Sequence, residues 1–258
     1  MTDLDKAHAA MTVNADDDAA RLRFYERLAD TEVFLMLAGE PEGEQITPAL
    51  FDIAEGQFAL IFDREERLAE FAGRIVPYAG LSGRSLVQML AGQGIGLGVN
   101  LQVAPSEMLV PAEAVDWLAQ TLAHGPEQAE ARIAEVNAPG GLPEAVVTGL
   151  DRKLATATGL ARLAYLAAAT YEDGSKGHVL AFIDAIADAE TALATAASEA
   201  LTFSGIEAGA IDVLFVRASD PLAAVLAKVG LRFDLPEPAK PHTPGAPGMN
   251  PEKPPRLT

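Results

Sequence analysis

The sequence predicts an α/β (α+β) fold: two consecutive mixed-sheet modules with flanking helices, then a disordered proline-rich C-terminal tail. Three observations predict it. Short apolar strand patterns alternate with helical periodicity along most of the chain. A turn-rich stretch, NAPGGL at 137–142, divides that pattern in two. Eight of the 24 residues from Leu235 onward are proline, a composition that cannot bury enough apolar surface to fold.

The elements follow in order. LRFYERLA places Leu22, Tyr25 and Leu28 at helical spacing. Asp16–Asp18 suit the start of that helix, where its dipole favours acids. The same three aspartates would also suit a divalent cation, but no second ligand cluster accompanies them. EVFLML at 32–37 reads as a buried strand. Segments 49–53 and 57–62 flank Ala54-Glu55-Gly56 as a hairpin. Asp63, with Glu66 three residues on, reads as the capping box of a helix ending near Phe71. Arg74–Tyr78 reads as a strand, and Ser82 as the cap of a helix over 83–90.

Gly94–Asn100 reads as a strand with Ile95, Leu97 and Val99 on one face and three glycines on the other. Glycine weakens a strand, so this alternation points to close approach of a neighbour. A short strand at 107–110 precedes Pro111, which suits the first position of a helix with Val115, Leu118 and Leu122 inward. Trp117 lies at the edge of that stripe, and residues 126–136 read as a further helix. Beyond the boundary, helices are expected over 143–155, 188–201 and from Asp220-Pro221, where Leu222, Val225, Leu226 and Val229 face inward. Strands are expected over 163–170, 178–183 and 211–216. The expected organisation is an N-terminal helical segment (1–30), a first module (31–137), a second module (143–235) and the tail (236–258).

Composition narrows the function. The chain has 19 Lys and Arg against 37 Asp and Glu, a formal charge of −18. Such a surface repels nucleic-acid phosphates and anionic lipid, so neither is expected as a partner. With no cysteine, thiol catalysis, iron–sulfur clusters and cysteine-ligated zinc are excluded. The polar start MTDLDKAHAAM and the lack of disulfides fit a cytoplasmic protein. No apolar run approaches the ~18 residues of a membrane span.

The chemistry-bearing motifs give little. GQGIGLG does not match G-x-G-x-x-G, and a strand follows it instead of a helix. GLSGR is not G-x-S-x-G, which makes Ser82 a helix cap before a nucleophile. His8, His124, His178 and His242 show no metal-ligand spacing. No metal site, cofactor or catalytic residue is therefore assigned. The residue that stands out is Arg84, a cation in the first turn of its helix, where the dipole disfavours it. With Ser82, Gly83 and Ser85 it could frame an anion pocket of helix amides and a guanidinium. Alternatively it pairs with an acid of the chain, such as one near 107–113. Tyr78 and Asn100 are placed in the same region, at the ends of strands flanking that helix.

Two blocks carry a resemblance. FDIAEGQFALIFDREERLAEFAG, VPYAGLSGRSLVQMLAGQGIGLGVN and EMLVPAEAVDWL resemble the N-terminal domain of the SseB (enhanced serine sensitivity) family. ARLAYLAAATYEDGSKGHVLAFIDA through IDVLFVRASDPLAAVLAKVGLRFD resembles that family's C-terminal domain. The resemblance implies two α/β modules and no established reaction. The chain is thus expected to be a non-enzymatic cytoplasmic protein that binds a protein partner as a regulator or adaptor. Small-anion binding and self-association are further expectations. The alternative is a hydrolase or group transferase acting on a small anionic substrate near Arg84.

Overall fold

Two mixed sheets, one in each half of the chain, organise the structure. It is a computed structural model that describes all residues except 14–16, 42, 44–45, 55, 124–132, 207–210 and 239–258. The proline tail beyond Pro238 lies outside the described residues, as do His124 and His242.

The first half contains helices α1 (Asp3–Val13) and α2 (Asp18–Asp30), strands β1 (Glu32–Met36), β2 (Leu50–Ile53) and β3 (Gly56–Phe62), and helix α3 (Glu65–Ala72). Strand β4 (Tyr78–Ser82), helix α4 (Gly83–Leu90), strands β5 (Ile95–Val99) and β6 (Met108–Val110), and helix α5 (Ala112–Ala123) follow. The sheet runs β4-β1-β3-β5-β6, with β2 also paired to β3. Only β3 and β5 are parallel, with Ile61 level with Val99; the other pairs are antiparallel. Helices α2, α4 and α5 cover one face through Phe24, Leu28, Leu86, Leu90, Leu118 and Leu122, packed on Leu35, Ile61 and Leu97. Helix α3 covers part of the other face, with Leu68 on Leu60 and Phe62.

The second half contains β7 (Ile133–Asn137), α6 (Glu144–Leu154), β8 (Leu163–Tyr171), β9 (Lys176–Ile183), a 3₁₀ turn at Ala187–Ala189, α7 (Glu190–Thr202), β10 (Ile211–Val216), α8 (Pro221–Val229) and β11 (Leu231–Asp234). Its sheet runs β10-β9-β8-β11, with β7 also on β8 and only β9–β10 parallel. Helices α6 and α7 pack on one face through Val146, Leu150, Leu193 and Leu201. Leu226 of α8 packs on the other, against Val136, Val179 and Ala181.

Several local readings change. The strand expected at 74–78 lies at 78–82, because β4 takes its register from β1, with Gly80 opposite Phe34. The N-cap of α3 is Arg64, not Asp63; the Asp63 carboxylate is instead held by Arg67 and Thr2. The helix expected over 126–136 falls mostly on residues not described, and 133–137 form β7, which pairs with β8. Helix α1 lies within the helical segment expected over 1–30, although no separate helix was delimited there; strand β11 was not anticipated, and Val225 faces solvent instead of the core.

The glycine-faced strand has a steric reason. A Cβ on Gly96 would lie 2.5 Å from the Phe58 ring, and one on Gly98 would lie 2.6 Å from Leu60 Cδ2. Both distances are far inside van der Waals contact, so β5 must carry glycine where the side chains of β3 lean across it.

Candidate functional site: the N-terminal end of helix α4

Ser82 ends β4 and caps α4. Its Oγ accepts from the Ser85 N–H at 3.1 Å and lies 2.8 Å from Ser85 Oγ. This satisfies one of the free amides that begin a helix. The Gly83 N–H donates to Thr31 O at 2.8 Å. Gly83 has no room for a side chain, since a Cβ there would sit 1.9 Å from Leu28 O. The end of α2 is therefore pressed against the start of α4, and the site residues Ser82, Gly83 and Ser85 all serve that junction.

Arg84 points out of this junction toward the second half of the chain. Its Nη1 donates to Glu199 Oε1 at 2.6 Å and its Nη2 to Glu199 Oε2 at 2.9 Å, a bidentate pair. Nη2 also donates to Asp30 Oδ1 at 3.2 Å. Lys153 Nζ completes the figure, 2.7 Å from Asp30 Oδ2 and 3.0 Å from Glu199 Oε2. Four charges thus alternate in a ring in which each acid touches both cations. Asp30 is the last residue of α2, Lys153 lies in the last turn of α6, and Glu199 lies on the buried face of α7.

The ring explains the cation at the start of α4: a carboxylate from another helix outweighs the unfavourable dipole. Burial pushes the Glu199 carboxyl up, but hydrogen bonds and charge from Arg84 and Lys153 prevail and hold it below its usual range. Hydrogen bonding to Glu199 holds the Arg84 guanidinium more firmly protonated than usual, against the effect of burial. Glu26, one turn before Asp30, has its carboxyl raised chiefly by burial, against the pull of Lys153, and the Asp30 and Glu199 carboxylates nearby push it further up. An open groove of about 350 Å³ beside the ring is lined by Thr156, Ala192, Thr195 and Ala196 together with the four ring residues.

The other two candidate residues lie elsewhere. Tyr78 is at the far end of β4, four residues or about 13 Å from Ser82. Its hydroxyl is hydrogen-bonded to Glu65 and its ring meets Phe34 edge-on. Asn100 is separated from β4 by β1 and β3, about 14 Å at strand spacing. It is fully buried, with φ +48°. Its Oδ1 accepts from the Asp63 N–H at 3.0 Å, and its Nδ2 donates to Ser106 Oγ at 2.9 Å. Four of the six candidates therefore converge, and Tyr78 and Asn100 do not join them.

Asp30, Lys153 and Glu199 were missed in the sequence. Glu199 alone left a trace, as the one charged residue in TALATAASEALT at 191–202. The acids near 107–113 do not pair with Arg84; Glu107 accepts from the Gln102 N–H instead. Among the described residues, no group of His, Asp or Glu is arranged to hold a metal ion, and no helix is long and apolar enough to cross a membrane.

No curated protein and no solved structure matches the chain. Residues 4–117, from α1 into α5, match the family model for the SseB protein N-terminal domain. The first half of the chain therefore carries an SseB-type N-terminal domain.

Proposed function

We propose that this chain is a non-enzymatic cytoplasmic protein that binds a protein partner, as a regulator or adaptor, through the open edge of β4. The observation that carries this reading is the direction of the β4 backbone. Leu37 N–H donates to Pro77 O at 3.0 Å and Gly83 N–H donates to Thr31 O at 2.8 Å. In an antiparallel ladder these bonds alternate, so residues 77, 79, 81 and 83 face β1. The N–H and C=O groups of Tyr78 and Gly80 face outward, where, among the described residues, the sheet has no further strand.

An unpaired edge of this kind is a template for an added strand. Just before it, the Ile75 side chain is 100% exposed, and Tyr78 is also exposed. Gly80 places no side chain over the half-buried Phe34 ring, which a Cβ there would meet at 3.8 Å. Exposed Glu32 and Glu65 flank this face. The complementary partner is an extended segment with apolar residues at alternate positions and basic residues at its ends.

Gly80→Pro tests the proposal. It removes an outward N–H and leaves the bonds to β1 intact, a substitution edge strands tolerate. In affinity capture from a native lysate, wild type should recover a specific protein that Gly80→Pro loses, with both proteins folded. An identical set of captured proteins would overturn the proposal.

A second reading, a hydrolase or group transferase acting on a small anion at Arg84, draws on the groove beside the ring. Both terminal nitrogens of Arg84 already donate to carboxylates there. An anionic ligand must therefore displace Glu199 and sit beside Asp30, which makes this the weaker reading. Turnover in a substrate screen, abolished by Arg84→Ala, would restore it.

A further inference from the structure

We infer that the Asp30–Arg84–Glu199–Lys153 ring is an ionic latch that holds the second half of the chain docked on the first, with Phe203 plugged into the first core. The inference is independent of the β4 edge. Each half contributes one acid and one base, Asp30 and Arg84 from the first and Lys153 and Glu199 from the second. The shortest bonds cross between halves: Arg84 to Glu199 at 2.6 Å and Lys153 to Asp30 at 2.7 Å.

The apolar part of the contact is small. Phe203, directly after α7, is 1% exposed and belongs to the first core although its own helix belongs to the second. Its ring meets Trp117 edge-on at 6.4 Å, and Trp117 meets Tyr25 at 5.4 Å. Among the described residues, no helix or strand of one half packs extensively on an element of the other.

Two folded halves joined by one aromatic plug and one charged ring form the kind of interface that opens and closes. Such a contact is bistable: with the ring intact the plug stays seated, and with one ring charge removed the docked state loses one of its two cross-half pairs. Undocking withdraws Phe203, uncovers Tyr25 and exposes further the ring of Trp117, which is already 39% exposed when docked. The second half thus covers an apolar surface of the first and releases it when the ring is weakened.

Trp117 is the chain's only tryptophan and stands at the seat, so its fluorescence reads the latch directly. Glu199→Gln keeps the shape of the side chain and removes its charge. In the full chain it should raise acrylamide quenching of Trp117 by about two-fold while far-UV circular dichroism is retained. Unchanged quenching in the folded variant would overturn the latch. Should Glu199→Gln fail to fold, wild type decides the matter. Quenching should then rise between about 0.05 M and about 1 M NaCl, because part of the ring is reached by solvent and screened by salt. A flat salt response would overturn it.

Discussion

Arg67 and Arg84 each fork between two carboxylates, yet they hold different things together. Arg67 donates to both Asp5 oxygens, at 2.6 and 3.0 Å, and to Asp63 at 2.7 Å. Asp5 also accepts from the Thr2 N–H at 2.8 Å and from Ser106 Oγ at 2.6 Å. This cluster pins α1, the start of α3 and the loop after β5 together inside the first half. The Arg84 ring joins the two halves. Side-chain exposure is 13% for Arg67 and 1% for each of its acids, against 31% for Arg84 and 23% for Asp30. The inner cluster has two acids for one base and makes up the difference with hydroxyl and amide donors; the ring is charge-balanced. A sealed cluster must satisfy every lone pair when the protein folds, whereas a ring with a wet side can be broken and remade.

The largest expected effect comes from breaking the sealed cluster. Arg67→Met leaves Asp5 and Asp63 buried without a counter-charge, which should cost about 3–5 kcal/mol of folding stability. Urea unfolding followed by circular dichroism checks this. A loss of less than about 1 kcal/mol, the scale of an exposed pair, would erase the distinction from the ring.

Acid titration should separate the groups by sign. Burial pushes the Asp5 carboxyl up, but hydrogen bonds from Arg67, Ser106 and Thr2 prevail and hold it well below the usual range. Glu199 is also lowered. Both folded-state values lie below the unfolded ones, so their stabilisation is fully present above about pH 5 and is lost as pH falls further. Glu26 is raised, so mild acidification relieves its cost in the folded state before the other two begin to protonate. The urea midpoint should therefore hold or rise slightly from pH 7 toward about pH 5 and fall below it. A midpoint that keeps rising to pH 3 would show that relief of the overall negative charge, formally −18, outweighs both networks.

What the sequence disclosed follows the range of each signal. The Ser82 cap, the Val115/Leu118/Leu122 stripe and the glycine alternation of β5 are local, and each is read within a few residues. Strand β4 was misplaced because RIVPY has the stronger strand composition. Pairing with β1 instead recruits YAGLS and leaves Ile75 in solvent, so tertiary pairing overrides propensity. Asp63 has the spacing of a cap, but Arg67 one turn later claims its carboxylate. Helix α1 was legible only as part of a helical segment over 1–30, because it buries only Leu4 and Asp5, too narrow a face to produce a periodic stripe of its own. The oddity of Arg84 was legible; its answer was not, because Glu199 lies 115 residues away and no local pattern encodes that pairing.

The smallest effect should come from the ring. Arg84→Met removes the bidentate partner of Glu199, but Lys153 remains 3.0 Å from the same carboxylate and 2.7 Å from Asp30. The guanidinium is also partly solvated before it is lost. The methionine also leaves the first turn of α4 free of a cation that the helix dipole disfavours. The expected cost is about 1–2 kcal/mol, between that of an exposed pair and a sealed one. Urea unfolding of Arg84→Met beside Arg67→Met measures the difference. Equal losses would mean that the ring is part of one continuous core, and that the two halves fold as a single block instead of docking as two.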